Sequence, residues 1–421
     1  MKFMIFVKKY LFIDMGVIYR YDNNKSIKNI RGDVNMKRNL SKFKKVIATL
    51  SVASILVACG GGGGSATTDI SEAKLGFIGP LSGDASQYGI AVKNAIELAI
   101  NEYNDENDTN ITAVYLDDKA DATEGVNAYN KLVTEEGVNA IIGSVTSGSA
   151  LAVVATAEAD GIPILTPSGS ADQITINDEG ETYENVFRIC TNDSYAGTFL
   201  AKKCNTDFNY KKVAILSNKD SDYSTGLRDA FVEEAKNQNV EVVFDETYTK
   251  DTKDYSTYIS KLKNEEYDTI FLPDYYEQVV TIVQQFRDAG INTPLLGADG
   301  WDGVLGVSGV DGNIFNGSYY TSGFDKNSSD ENVQRFVKNY TDKYKTEPNM
   351  FAAFAYDAVF VMMDAMERAG TTESSKVNEA LADTNYKNGV AGAFKYDKKH
   401  NPIKEMVIVG FENGKYVTNS N

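Results

Sequence analysis

The chain has 421 residues, of which 42% are hydrophobic and 24% are charged, and it carries a formal net charge of −17. This composition is that of a globular protein, and the length exceeds what one compact core usually holds, so two lobes are expected. The acidic balance repels phosphate backbones, which argues against nucleic acid as a partner.

The first 58 residues have the opposite charge. They contain 12 Lys and Arg but only 3 Asp and Glu, which leaves 30 basic and 56 acidic residues in the remainder, a net charge of −26. From Met36, a basic stretch precedes an uncharged run over 46–58 that is too short to span a bilayer. We interpret residues 36–58 as an export signal peptide.

Residues 1–35 fit no part of such a signal. We interpret them as an upstream extension that arises from a mis-assigned start, with translation beginning at Met36. The alternative is a membrane anchor over 1–18, although Lys8, Lys9 and Asp14 interrupt its apolar character.

The uncharged run ends in Leu-Val-Ala-Cys, with the cysteine at Cys59. This sequence resembles the lipobox of bacterial lipoproteins, which implies cleavage before Cys59 and lipid attachment to its thiol. Residues 60–64 are all glycine and Ser65 follows, so we interpret 59–69 as a flexible, lipidated tether. A core cysteine at the end of an apolar helix is the alternative, and it fits poorly because nothing after it could pack.

Two further cysteines, Cys190 and Cys204, are separated by an expected helix of ~14 residues, or roughly 20 Å. That separation is too long for a disulfide, so two buried free thiols are predicted. His400 is the only histidine, which removes the usual parts of a zinc site or a Ser-His-Asp triad. We therefore expect no metal, no cofactor and no catalytic residue.

From residue 74 the chain alternates short apolar runs with amphipathic segments, a pattern typical of βα units around parallel sheets. The pattern restarts after residue 211, which indicates an α/β fold of two doubly wound lobes. Strands are predicted over 74–80, 111–118, 138–144, 162–167, 212–218, 240–248, 268–274 and 294–299, with a terminal hairpin that turns at Asn413 and Gly414. Helices are predicted over 86–102, 122–135, 149–159, 224–237, 255–264, 278–289, 330–344, 349–369 and 375–382.

Six motifs occur in order along this part of the chain: GFIGPLSGDASQYG, YLDDKADATEGVNAYNKLV, IIGSVTSGSALAV, GIPILTPSGSA, LSNKDSDYSTGL and GADGWDG. Together they resemble the branched-chain amino-acid-binding family, over roughly residues 73–412. The resemblance implies a type I periplasmic-binding fold with three hinge segments, near Cys190, Tyr320 and Gly392, that closes around a ligand in the cleft between the lobes. Its implied lobes are 70–190 with 322–391, and 191–321 with 392–421.

The loop over 144–149 leaves a predicted strand and opens a helix, a place where backbone N–H groups favour an anion. By resemblance, the hydroxyl of Ser147, the backbone of Ser168 and the hydroxyl or amide of Ser170 hold a ligand α-carboxylate, and Thr146 lines the same wall. A role in helix capping alone is the alternative.

Asp299 is predicted to end a strand of the second lobe, and by resemblance it pairs with the ligand's α-ammonium group. The alternative is a carboxylate that caps the next short helix, at 301–304. Loop tyrosines are expected to cover the ligand from both lobes, and two other aromatic residues to complete the pocket. The tyrosines are Tyr88, Tyr223 and Tyr275, with Tyr276 as the alternative to the last, and the other two residues are Trp301 and Phe351.

These features favour an extracytoplasmic solute-binding lipoprotein that delivers a small amino acid to the permease subunits of an ABC importer, and that acts as a monomer. It would lie on the periplasmic side of the membrane in a two-membrane bacterium and on the outer face in a one-membrane bacterium. A sensor that presents the ligand to a receptor is the alternative. An enzyme is disfavoured, because the acidic run over 117–121 has no nucleophile and base beside it.

The lipid anchor predicts that Cys59→Ser abolishes fatty-acid labelling of the protein in cells, because no thiol remains to accept the lipid. Ser65→Ala, in the same tether, is the control and should leave labelling unchanged. A Cys59→Ser protein that stays labelled and bound to membranes would contradict the lipoprotein interpretation.

Overall fold

The computed structural model describes residues 68–177 and 179–418, together with three short strands near the N-terminus. These strands, β1 (Ile13–Asp14), β2 (Val17–Arg20) and β3 (Lys28–Asn29), pair antiparallel in the order β1-β2-β3. They belong to a unit, Met1–Gly61, separate from the unit Gly62–Asn421. The predicted signal peptide, Cys59 and nearly all of its tether lie outside the described residues. The described helices include none that is both long and apolar enough to cross a membrane.

The larger unit is built from strands and helices in alternation, as the apolar pattern predicts. Its strands are β4 (Lys74–Gly79), β5 (Thr112–Asp117), β6 (Ala140–Ile142), β7 (Ile164–Thr166), β8 (Val186–Arg188), β9 (Lys212–Asn218), β10 (Glu241–Tyr248), β11 (Thr269–Phe271), β12 (Leu295–Gly297), β13 (Tyr319–Ser322), β14 (Asn385–Tyr386), β15 (Phe394–Tyr396), β16 (Pro402–Ile403), β17 (Val407–Glu412) and β18 (Lys415–Thr418). Its helices are α1 (Ser86–Asn107), α2 (Ala122–Lys131), α3 (Ser147–Ala157), α4 (Asp193–Thr206), α5 (Asp222–Asn237), α6 (Ser256–Leu262), α7 (Tyr276–Asp288), α8 (Glu331–Tyr344), α9 (Met350–Ala369) and α10 (Ser374–Ala382).

The first sheet has the order β5-β4-β6-β7-β8, and all its strands are parallel. The three central strands of this order, β4, β6 and β7, are almost entirely buried, as expected where helices cover both faces of a parallel sheet. Helices α2 and α3 pack together on one side, and α1 packs against α9 on the other. Five strands and these helices form the first lobe.

The second sheet has the order β10-β9-β11-β12-β13-β17-β18. Its first five strands run parallel, whereas β17 and β18 are antiparallel to their neighbours. The predicted terminal hairpin is confirmed, and both Asn413 and Gly414 have positive φ, 52° and 71°. That backbone suits a two-residue turn between twisted strands, and asparagine and glycine tolerate it.

The chain passes between the two sheets three times. It leaves the first sheet after β8, returns after β13 to form α8 and α9, and enters the second sheet again at β17. The short antiparallel sheet β14-β15-β16 lies on the last of these passages. A two-lobed α/β fold with parallel sheets, as predicted from the sequence, is therefore confirmed.

The two cysteines of the described chain are both buried, and neither is in a disulfide. Cys190 belongs to the large hydrophobic core that includes α1 and α9, and Cys204 belongs to the separate core between α4, α5 and the second sheet. The prediction of two buried thiols is confirmed, and Cys190 lies two residues after the end of β8 at Arg188.

Three boundaries near the expected site differ from the prediction. Helix α3 begins at Ser147, two residues earlier than predicted. Ser149, the predicted first residue, lies inside the helix and donates its hydroxyl to the Asp118 carboxylate at 2.7 Å. Strand β12 ends at Gly297. Asp299 instead opens a 3₁₀ turn over Asp299–Trp301, so its side chain belongs to a loop. Loops at the carboxyl ends of parallel strands are where α/β folds place ligand sites.

Candidate functional site

The loop between β6 and α3 forms the first-lobe wall of the candidate site. The N-cap of α3 is Thr146, whose side chain makes no capping hydrogen bond. The Ser147 hydroxyl oxygen accepts hydrogen bonds from the backbone N–H groups of Ser170 and Ala171, each at 3.2 Å. The alternative that these serines serve only as caps is therefore wrong for Ser147, whose hydroxyl joins two loops.

The loop after β7 is held against the first one by two further hydroxyls. Thr166 donates to the Ser144 carbonyl at 2.6 Å, and Ser168 donates to the Val145 carbonyl at 2.8 Å. By contrast, the buried hydroxyls of Thr146 and Ser170 have no hydrogen-bond partner among the described residues. Two loops fixed by backbone contacts thus present two buried polar groups that the fold does not use.

Asp299 forms the second-lobe side of the site. Its carboxylate accepts a hydrogen bond from the Tyr223 hydroxyl at 2.9 Å, and that hydroxyl accepts one from the Gly300 N–H at 2.8 Å. Burial raises the pKa of Asp299 to about 6, and the Tyr223 hydrogen bond acts against that rise. The alternative of a helix cap is wrong, because Gly303 precedes the next 3₁₀ turn and Asp299 faces Tyr223 instead.

The predicted tyrosines lie together between the lobes. Tyr223 and Tyr275 stack with ring centroids 4.9 Å apart, and the edge of Tyr275 meets Tyr88 at 5.7 Å. Phe351 stacks on Tyr88 at 4.2 Å, and Tyr276 contacts the same ring at 4.9 Å. Both tyrosines at 275 and 276 therefore belong to this aromatic cluster.

Tyr88 also joins the two lobes by hydrogen bonds. Its hydroxyl, on α1 of the first lobe, donates to the Gly300 carbonyl and accepts from the Tyr276 N–H at 3.1 Å. The Gln87 N–H donates to the Tyr276 hydroxyl at 3.3 Å. Tyr88 is 1% exposed and Asp299 is 9% exposed, so the lobes meet closely here and the structure is a closed form.

Trp301 differs from the expectation. It is fully buried, its indole N–H donates to the Leu272 carbonyl at 2.9 Å, and its ring packs edge-on against Phe315 at 5.7 Å. The indole therefore fills the hydrophobic core of the second lobe. Its polar atom is already paired, so the structure assigns it to packing rather than to the pocket wall.

Two acidic residues at the lobe junction are not among the site residues predicted from the sequence. Asp302 accepts a hydrogen bond from the Met350 N–H at 2.7 Å, which ties the second lobe to the start of α9. Asp193, the first residue of α4, is buried without a hydrogen-bond partner among the described residues. Asp193 comes five residues after the end of β8, so the rule that loops follow strand ends could have identified it.

Away from these residues the lobe junction holds a separate cavity. It has a volume of about 930 Å³ and lies where the three passages between lobes meet, and its lining includes Thr191, Gly323, Ala391 and Lys404. No group of three or more His, Cys, Asp or Glu side chains that could hold a metal ion occurs in the described part of the chain.

Comparisons with known proteins agree with this fold. The profile of the family described as "Periplasmic binding protein" matches residues 72–415. The Leu/Ile/Val-binding protein BraC3 of Rhizobium johnstonii is 30% identical over 320 residues, covering 73% of this chain and 83% of that protein. This chain belongs to the periplasmic binding protein family, a class of extracytoplasmic solute-binding proteins.

Two solved structures are similar to this one. The leucine-binding protein LivK of Thermotoga maritima has a TM-score of 0.76 and 28% identity, covering 83% of this chain and 98% of its own. The branched-chain amino acid transporter substrate-binding protein LivJ of Streptococcus pneumoniae, in complex with isoleucine, has a TM-score of 0.75 and 30% identity, covering 83% and 100%.

The Tyr88 contacts predict that Tyr88→Phe weakens closure, because it leaves the Gly300 carbonyl and the Tyr276 N–H buried and unpaired, at about 1–3 kcal/mol each. Amide hydrogen exchange over 272–279 should accelerate about thirtyfold or more, the rate change for about 2 kcal/mol. Tyr103→Phe is the control, because its hydroxyl bonds to Glu367 within the first lobe. Unchanged protection over 272–279 in Tyr88→Phe would show that the contact does not hold the lobes together.

Proposed function

We propose that this protein is the solute-binding lipoprotein of an ABC importer, and that it closes on a small amino acid, branched-chain or otherwise aliphatic. The observation that carries the proposal is the opposition of the two walls. Buried hydroxyls and the start of helix α3 lie on the first lobe, and a buried carboxylate lies on the second. A zwitterion fits between walls of these two kinds.

The first-lobe wall suits a carboxylate. The Ser147 oxygen accepts two backbone N–H groups, which leaves its O–H free to donate to a ligand. The unpaired hydroxyls of Thr146 and Ser170 can donate as well. Ser168 uses its hydroxyl on Val145, so its contribution to the ligand comes from its backbone groups. The backbone N–H groups at the start of α3 add the partial positive charge of a helix terminus.

The second-lobe wall suits an ammonium group. The pKa of Asp299 is raised by burial, so the surroundings penalise its charge, and one neutral donor from Tyr223 does not remove that penalty. A hydrogen bond to a charged group contributes about 1.5–3 kcal/mol, whereas desolvating an ion costs several kcal/mol. A ligand ammonium would supply the missing charge, with the Ser168 carbonyl as a further acceptor.

The aromatic cluster suits an apolar ligand side chain. Tyr88, Tyr223, Tyr275 and Phe351 supply apolar ring surface, and the hydroxyls of Tyr88 and Tyr223 already have protein partners. Relatives whose names state leucine, isoleucine and valine binding support the same side-chain class.

The remaining features complete the proposal. The chain path supports lobes of 70–190 with 322–391, and 191–321 with 392–421, joined by three hinge segments. Lipid on Cys59 would tether a monomer to the membrane beside its permease. A sensor would share the same fold and site, so the partner in the membrane separates that alternative from an importer.

Asp299→Ala should weaken binding of the amino acid by about 2–5 kcal/mol, the loss typical when one partner of a buried charge pair is removed. Asp299→Asn should fall between Asp299→Ala and the unaltered protein, because it keeps an acceptor without the charge. Isothermal titration with leucine, isoleucine, valine, alanine and a decarboxylated amine measures both effects.

Asp288→Ala, which removes an exposed acid at the end of α7, is the control and should bind normally. If Asp299→Ala binds the best amino acid within about twofold of the unaltered protein, roughly 0.4 kcal/mol, the assignment of Asp299 to the ammonium group is wrong.

A further inference from the structure

Asp193 is a buried carboxylate that the fold leaves without a partner. It is the first residue of α4, immediately after the first passage between the lobes, and its side chain is fully buried. Neither of its carboxylate oxygens has a hydrogen-bond partner among the described residues. The Ser170 hydroxyl lies close enough to Asp193 to lower the pKa of that carboxyl, but the two groups do not meet the distance and angle limits of a hydrogen bond.

The surroundings of this carboxylate place it at the candidate site. A β-carbon added to Gly226 of α5 would lie 2.9 Å from the Asp193 Oδ2 atom, so the carboxylate packs against α5 one turn beyond Tyr223. The charge of Asp193 raises the pKa of both Tyr223 and Tyr275, and the charge of Asp299 raises the pKa of Asp193. These four side chains therefore share one buried region.

The nearest cation does not satisfy Asp193. Arg188 is buried and its charge acts favourably on Asp193, but its terminal N–H groups donate elsewhere. They bond to the carbonyls of Gly169, Ala171 and Asp172 and to the Thr175 hydroxyl, at 3.0–3.3 Å. A buried carboxylate without donors is costly, since burial removes the water that would otherwise solvate it. Desolvation is also the main cause of its raised pKa.

We propose that Asp193 is a second acidic residue for the ligand's ammonium group, which it shares with Asp299. This inference rests on the proposed function, in which the ligand is an amino acid. An ammonium group has three N–H donors, and Asp193, Asp299 and the Ser168 carbonyl would accept one each. The second lobe then recognises only the positive end of the ligand. Specificity for the free α-ammonium follows, and 2-hydroxy acids of the same shape are rejected.

The test compares Asp193→Asn with Glu331→Gln, an exposed acid that likewise opens a helix, α8. Isothermal titration uses the tightest binder among leucine, isoleucine, valine and alanine, and the 2-hydroxy acid of the same side chain. Asp193→Asn should bind the amino acid at least tenfold more weakly and the hydroxy acid with a change of twofold or less. Glu331→Gln should bind both ligands as the unaltered protein does.

The thermal midpoint of the unliganded Asp193→Asn protein should stay the same or rise, because the variant removes an unpaired buried charge. A large drop in that midpoint would show a structural role and overturn the proposal. Amino-acid binding within twofold of the unaltered protein, or an equal loss for the hydroxy acid, would overturn it as well.

The unaltered protein distinguishes this inference from the proposed function and needs no variant to fold. If it binds none of the four amino acids, both are wrong. If it binds an amino acid and its 2-hydroxy acid equally well, the ammonium group is not what the site recognises, so the roles of both Asp193 and Asp299 are wrong while amino-acid binding itself stands. If it prefers the amino acid but Asp193→Asn keeps that preference, only the role of Asp193 is wrong.

Discussion

Burial of carboxylate charge between two lobes is the constraint on which the rest of the site depends. Asp299 and Asp193 both lie out of water, and burial is the main cause of the raised pKa of each. The Tyr223 hydroxyl and the backbone N–H groups of Asp299 and Gly300 oppose the rise for Asp299 without cancelling it, and neither oxygen of Asp193 has a hydrogen-bond partner among the described residues. A closed form with both acids ionised is therefore stabilised by a positively charged ligand. Such a ligand binds the closed form better than the open form, and that difference in affinity drives closure.

In the proposed site, the carboxylate end of the ligand contacts the first lobe. The loops after β6 and β7 end parallel strands at the same edge of the first sheet, and hydroxyl-to-carbonyl bonds lock them together. The N-cap residue of α3, Thr146, makes no side-chain capping bond at the start of the helix. A rigid wall with unused donors loses little entropy when a ligand arrives, which is the advantage of a preorganised site. The Tyr88 and Asp302 contacts across the junction then hold the closed arrangement.

Elements whose bounds are set by neighbouring residues are predicted correctly from the sequence. Strand β9 is predicted residue for residue, because its apolar run is followed directly by turn residues, and Asn413 with Gly414 predicts the final hairpin for the same reason. Features that depend on distant partners escape prediction. From the sequence, Trp301 is predicted to be a loop residue that lines the pocket. In the structure it packs in the core, where its ring contacts Phe315 and its indole N–H donates to the Leu272 carbonyl.

The acidic residues show the same limit. Asp193 resembles an ordinary acidic residue at a helix start, and only the folded structure shows that α5 and the loop of Ser170 enclose it. The motifs of a recognised family identified Asp299 where composition and spacing alone could not. Placement of the site at strand ends, by contrast, follows from the α/β pattern itself.

We propose that an amino acid closes the two lobes by bridging the hydroxyl-lined wall of the first and the carboxylate of the second. Small-angle X-ray scattering of the mature protein, titrated with the best-bound aliphatic amino acid, measures this closure. We expect a fall in the radius of gyration that saturates with ligand occupancy and is absent with the matching decarboxylated amine. A saturating calorimetric signal with no change in the radius of gyration would contradict it.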